Sequence, residues 1–383
     1  MIPYGRQFVS MTDIRFVSNA LRQDLITTGS YVNKFENRIK NIIGSKYVAV
    51  CSNGTSALHL ALLAINLRKN DIIIIPAINF IASYNMAVTM GAKIYLADVD
   101  PDTGQMTPRT LTECIKKNNI KKIKAIITMY LGGNVENVLE FYNIKKKFRC
   151  CIIEDACHAF GSKYISKKEY KYVGCCEYSD IATFSFHPVK TLTTGEGGAI
   201  TTNNQLFFER IKLYRSHGII RKKKSHWLYD IDQSGYNYRL SDINCALGYS
   251  QLSNMKNFLL KRRKIFSFYN LKLKKYDQFC RVLNSHNINN SSCHLLIIKF
   301  NLKKIKTTKE KIINFFLRNK IFLQQHYIPI YKFKIYKKNL VLKYSEEYFK
   351  SCISFPIYFN LKYEDLSKII NLIKYFINKN MAK

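Results

Sequence analysis

The stretch CIIEDACHAFGS, Cys151 to Ser162, runs its apolar and thiol side chains from Cys151 to Ile153 straight into two acids, Glu154 and Asp155. That is the pattern of a strand buried on both faces of a parallel sheet, with an acid at its carboxyl end. Ligands of open α/β sheets sit in the crevice outside those ends. Working outward, DIIIIP, AKIYLADVD, IKAIITMY and IATFSF are further strand-like runs, and LTECIKK and NVLEFYNIKKK between them are helical stretches. The alternation predicts an α/β domain whose mostly parallel sheet has helices around it.

A chain of 383 residues has room for that domain and a smaller one. The larger is expected over residues 1–254 and the smaller over 255–383. After Asn254, SNMKNFLLKRRKIFSFYNLKLKK reads as a long connecting helix, and CHLLIIKF, TTKEKIINFFLRNK and SCISFPIYF as parts of a small α+β unit. Thr307 and Glu310 have the spacing of a capping box.

Downstream of the acids, FSFHPVKTLTTGEGG (Phe184 to Gly198) sets Lys190 between a short apolar strand and a glycine-rich turn. A lysine held at a strand end and shielded from water loses its proton and attacks a carbonyl, the first step of Schiff-base chemistry with pyridoxal phosphate. That cofactor works as an electron sink while its ring nitrogen stays protonated, and a carboxylate such as Asp155 keeps it so. A third element, CSNGTSALHLALLAI, places Ser52, Asn53, Gly54 and Thr55 before Leu58, Ala61, Leu62 and Ile65 at helical spacing. Free amides and the dipole at that helix start suit a phosphate. Each element alone has an ordinary reading, as a solvated lysine, a loop acid or a capped helix. Their combination points to one site.

The order NGTSAL, EDACHAFGS, FSFHPVK with TTGEGGAI, and GYNYRLSDINCALGYSQL resembles the sugar aminotransferases of the DegT/DnrJ/EryC1/StrS family, from ITTGSYVNKFE near residue 30 to ISFPIYFNL near residue 357. The resemblance implies a pyridoxal-phosphate-dependent transferase of fold type I, related to aspartate aminotransferase, working as a homodimer. On it, Lys190 would bind the cofactor covalently and shuttle the proton, and Asp155 would pair with the ring nitrogen. Gly54, Thr55 and Ser185 would hold the phosphate, joined by Asn237 from the neighbouring subunit. Phe80 would stack on the ring and His158 would lie beside its hydroxyl. Some relatives carry histidine at the lysine position and remove a hydroxyl; the lysine here favours transamination, with L-glutamate as donor. HPVK with TTGEGG, RSHG from Arg215, and HYIPIY from His326 most resemble the members that aminate C4 of a UDP-linked 4-keto-6-deoxy-N-acetyl-altrosamine for pseudaminic acid. The C4 transaminases of the D-configured keto-sugar in the bacillosamine and legionaminic acid routes stay open, as does C3 amination. Tyr130, His326, Tyr327 and Tyr331 are the candidates for sugar contacts, although aromatic clusters also serve as packing.

The formal charge of +35 raises a rival reading, a nucleic-acid binder with KNNIKKIK, NIKKKFR, RKKK and KRRK as its surface. The lysines are spread through nearly every helical stretch among Ile and Asn, which is the composition of a solvated basic surface. Eleven cysteines include two adjacent pairs and no C-x-x-C, so free thiols are expected and a metal site is not. No apolar run reaches the length of a membrane span and the first residues lack a signal-peptide pattern, from which a cytoplasmic enzyme is expected.

Overall fold

The computed structural model describes residues 1–221 and 227–381; residues 222–224 of the basic run RKKK lie outside them. Seven strands form the central sheet: β1 (Tyr47–Cys51), β2 (Ile72–Pro76), β3 (Lys93–Ala97), β4 (Ala125–Met129), β5 (Cys151–Asp155), β6 (Ile181–Ser185) and β7 (Gly198–Thr202). Their order is β1-β7-β6-β5-β4-β2-β3, with β7 antiparallel to both neighbours and β2 to β6 parallel throughout. The five strand-like runs of the sequence are β2 to β6. The fold is thus α/β with a mostly parallel mixed sheet.

Ile73, Ile74, Ile75, Ile152 and Ile153 are buried because helices cover both faces of the sheet. The helix Gly54–Ala64 crosses one face, and it departs from the one-sided stripe the sequence suggested. Ala57, Leu58, Leu60, Ala61, Leu62 and Ala64 are all buried, since helices pack around it as well as the sheet beneath. A helix apolar all round is an interior helix, and each buried leucine contributes about 1.5–3 kcal/mol.

Two family motifs turn out to brace this framework. Arg215 of RSHG pairs with Glu36 at 2.6 Å and donates to the Val50 carbonyl at 2.7 Å, while Glu36 accepts the Val50 amide at 2.9 Å, which fastens edge strand β1. Asp242 of RLSD accepts the amides of Gly29 at 2.7 Å and Tyr31 at 2.8 Å, capping the helix Ser30–Ile43.

Beyond Asn254 the helix Met255–Leu273 joins two cores. Met255, Phe258 and Leu259 pack with the larger one, and Ile265, Phe266, Tyr269 and Leu273 with a second. That second core lies on the antiparallel sheet of β8 (Cys280–Val282), β9 (Leu296–Phe300) and β10 (Cys352–Phe355), under the helices Lys309–Arg318 and Tyr363–Met381. We propose the division of the chain at Asn254, where the helix Asp242–Ser253 ends and the connecting helix begins; along that helix the partners change between Leu259 and Ile265. The first residues cross back: Ile2 packs in the second core and its amide donates to the Lys320 carbonyl at 2.8 Å. The capping box is corrected. Thr308, not Thr307, caps Lys309–Arg318 by accepting the Lys311 amide at 3.3 Å, so Glu310 falls one position short of the box.

Candidate active site

A cavity of about 560 Å³ opens at the carboxyl ends of β4, β5 and β6 and is closed on one side by Gln324 to Tyr327, in the segment after the helix Lys309–Arg318. Its lining brings together Gly54, Thr55, Phe80, Asp155, His158, Ser185, Lys190, His326 and Tyr327.

At one end is the start of the helix Gly54–Ala64. The Asn53 side chain caps it by accepting the Ser56 amide at 2.8 Å, which leaves the first amides, Gly54 and Thr55, without a partner inside the helix. Ser185, at the end of β6, faces them. A Cβ on Gly54 would stand 2.9 Å from Ser185 Cβ and 3.2 Å from Cys157 Sγ, so glycine keeps this floor open. Gly198 lets β7 approach closely, since a Cβ there would meet the Asn53 carbonyl oxygen at 2.5 Å.

Lys190 leaves β6 through a pinned turn. Its amide donates to the His187 carbonyl at 2.8 Å, and the Phe186 carbonyl accepts from the Thr194 amide and the Thr193 hydroxyl, each at 3.0 Å. The hydroxyls of TTGEGG thus satisfy a backbone that has left the sheet. Burial lowers the Lys190 ammonium below its ordinary range; Cys157 and Asp155 pull the other way, and the Arg262 guanidinium lowers it again. The result is an amine released more readily than a surface lysine's.

Asp155 is buried, and both carboxylate oxygens are held. One accepts the Cys157 amide at 3.3 Å and the other the Ser83 hydroxyl at 3.1 Å, while Ser83 accepts from the Asn79 amide group at 3.1 Å. Asn79 and Ser83 orient the acid and were missed in the sequence, although they flank Phe80 in PAINFIAS. Their four-residue spacing was the available signal. Phe80 is 54% exposed, with its ring 5.8 Å from that of Tyr327, so it offers a free apolar edge to the cavity.

The opposite wall is made of imidazoles and a phenol. His158 Nδ1 accepts the Gly132 amide at 3.3 Å, so Nε2 carries the proton and donates to Tyr327 Oη at 2.9 Å. The Tyr327 hydroxyl proton is then left to donate into the cavity. His294 lies 4.3 Å from His158, centroid to centroid, and His326 Nδ1 shares a hydrogen bond of 2.9 Å with Ser354. Burial holds His158 and His294 well below their usual range and pushes His326 down to about 3, with the Lys190 charge adding to each. All three rings are neutral near pH 7. Sequence reading missed His294, which stands just before β9, and Tyr4, which lines the cavity with its ring 5.4 Å from His326.

Two candidates for sugar contacts are placed elsewhere. Alternate residues of a strand face opposite sides of its sheet. Met129, paired in register with Asp155, faces the cavity, whereas Tyr130 turns beneath and donates to Glu154 at 3.0 Å. Tyr331 packs in the cluster of Ile73, Ile75 and Ile127 on the central sheet and donates to Glu346 at 2.9 Å. Asn237 is exposed and outside the cavity lining of its own chain.

Comparison with known proteins agrees with this architecture. The DegT/DnrJ/EryC1/StrS aminotransferase family profile matches residues 9–374. A UDP-4-amino-4,6-dideoxy-N-acetyl-beta-L-altrosamine transaminase of Campylobacter jejuni is 36% identical over 368 residues, covering 95% of this chain and 94% of its own. A GDP-perosamine synthase of Escherichia coli is 35% identical over 70% of each chain. Among solved structures, the Helicobacter pylori aminotransferase PseC, described as involved in the biosynthesis of pseudoaminic acid, superposes with a TM-score of 0.91 at 28% identity over 99% of both chains. A putative sugar aminotransferase of Streptococcus pneumoniae, solved in its PLP form, gives 0.88 at 26% identity over 99% of both. The chain belongs to the DegT/DnrJ/EryC1/StrS aminotransferase family.

Proposed function

We propose that this chain is a pyridoxal-phosphate-dependent transaminase that moves the amine of L-glutamate to C4 of UDP-4-keto-6-deoxy-N-acetyl-β-L-altrosamine, a step toward pseudaminic acid. The observation that carries the reading is one cavity lined by both Lys190 and the doubly held Asp155. The residues present fit the cofactor: free amides and a hydroxyl for its phosphate, a buried acid for its ring nitrogen, the Phe80 edge for its ring face, and an amine for its aldehyde. Bound there, pyridoxal phosphate supplies the aldehyde that carries the amine and a ring that takes up electrons during the proton shift.

Lys190 would carry the proton between the substrate carbon and the cofactor carbon, away from the donor's carbon in the first half and onto C4 of the sugar in the second, and the burial that lowers its affinity for protons favours the free amine this needs. Asp155 keeps a proton on the ring nitrogen. The neutral His158 holds Tyr327, whose hydroxyl donates toward the substrate, and His326 completes that wall. Asn237 reaches the phosphate in the partner's cavity. Its exposure supports a shared site, as do exposed apolar residues including Met11, Ile14, Leu25 and Tyr229, which a second copy would cover. The eleven unpaired thiols support a reducing compartment, and we place the enzyme in the cytoplasm.

The altrosamine assignment rests on relatives of that name matching 95% of the chain. Its test is an assay offering glutamate with each of the two C5-epimeric UDP-4-keto-6-deoxy sugars. Turnover of the L-altro epimer is expected; preference for the D epimer would move the enzyme to the bacillosamine or legionaminic acid type, and turnover of neither would reject both.

A further inference from the structure

Within the basic run KRRK, Arg262 behaves unlike its neighbours. Lys264 is exposed, whereas Arg262 is 2% exposed and buried between the two cores. Its Nη1 donates to the carbonyls of Ile357 at 3.1 Å, His294 at 3.2 Å and Cys293 at 3.5 Å, and Nη2 donates to the carbonyl of Lys190 at 3.4 Å. Among the described residues no carboxylate pairs with it, and burial pulls its proton affinity down to about 10. A buried charge without a carboxylate partner is costly to desolvate, so a fold that retains one here gains something from its position.

We propose that Arg262 is a positioning residue for Lys190, fastening the lysine's backbone to the smaller domain while setting a fixed positive charge behind its amine. The inference rests on the reading of Lys190 as the reactive amine. Three of the carbonyls it gathers belong to β9's approach and the segment after β10, so the lysine turn and the smaller domain are held as one piece. The charge works in the same direction as burial. Facing the amine from the end of β5, Asp155 and Cys157 favour its charged form. His158, His294 and His326 are neutral across from it, and Glu196, His187, Tyr4 and Tyr327 complete the titratable lining. Arg262 is thus the fixed cation that opposes Asp155.

The test uses the full chain loaded with pyridoxal phosphate and follows the pH midpoint of the absorbance of the lysine-bound cofactor, together with kcat and KM. R262Q keeps a donor for the carbonyls but removes the charge, and the midpoint is expected to rise by about one pH unit. R262K keeps the charge without the fork; the midpoint should stay near that of the wild type while kcat falls about tenfold at unchanged KM. A folded R262Q with the wild-type midpoint overturns the proposal. Should R262Q not fold, R262K decides, because wild-type kcat and KM there also overturn it. A wild-type chain that shows no cofactor absorbance would instead reject the underlying reading of Lys190.

Discussion

Two adjacent acids on one strand do opposite work because of a one-residue alternation. Asp155 faces the cavity and Glu154 the core below, where burial pushes its carboxyl up to about 7 against the Tyr130 hydroxyl, the Gly174 amide and Ser179. The folded chain therefore keeps a proton on Glu154 that the unfolded chain, titrating near 4.5, has already released. Stability should fall as pH rises from about 4.5 to about 7, by on the order of 3 kcal/mol in total. Glu154→Gln removes the titration while still accepting from Tyr130, so urea midpoints of the variant should vary less between pH 5 and pH 8 than those of the wild type. An unchanged pH slope would place the titrating group elsewhere. Asp155→Asn acts on chemistry instead: kcat should drop about 100-fold or more with cofactor still bound, and near-normal turnover would reassign the acid.

At the scale of elements, the site depends on a close crossing between β7 and the helix Gly54–Ala64. Gly198→Ala would drive a methyl carbon against the Asn53 carbonyl at 2.5 Å and to 3.0 Å from the Gly54 amide nitrogen. Both are backbone atoms that cannot swing away. The variant should lose about 1–3 kcal/mol of stability and bind cofactor more weakly with Lys190 intact; thermal midpoints and fluorescence titration measure the two, and wild-type values in both would show that the crossing tolerates a side chain. This is also the region the sequence revealed least. Strands β2 to β6 announced themselves as apolar runs, whereas β1 and the lone antiparallel strand β7, of the same five-residue length, were not singled out because they run directly into or out of the SNGTS and TTGEGG motifs. Lys190, Asp155 and the helix start were legible because strand ends and caps have local signatures. His294, Tyr4, Asn79 and Ser83 were not, since only tertiary packing brings them to the cavity. Tyr130 misled because a residue after a strand is ambiguous as to face until the register is known. Arg262 was hidden in a basic run whose composition suggests solvent.

Over the whole molecule, the long helix Met255–Leu273 ties two cores around one crevice, and Asn237 lies outside the crevice of its own chain. If the partner completes each site, mixing Lys190→Ala with Asn237→Ala chains should restore about a quarter of wild-type activity at limiting cofactor, since half the random dimers carry one intact site of two. Activity no greater than the sum of the separate variants would mean that each chain holds its own phosphate. The charge of +35 resides mainly on exposed lysines such as Lys117, Lys121, Lys122, Lys146 and Lys147, and long-range attraction for a diphosphate-bearing substrate is the use we assign it.

The central claim is that a single amine among many lysines bonds the cofactor. Reducing the purified chain with borohydride after incubation with pyridoxal phosphate, then mapping the modified peptide by mass spectrometry, tests it directly. The account predicts one saturable modification, at Lys190; a chain that takes up no cofactor, or takes it up on scattered surface lysines with Lys190 unmodified, would contradict it.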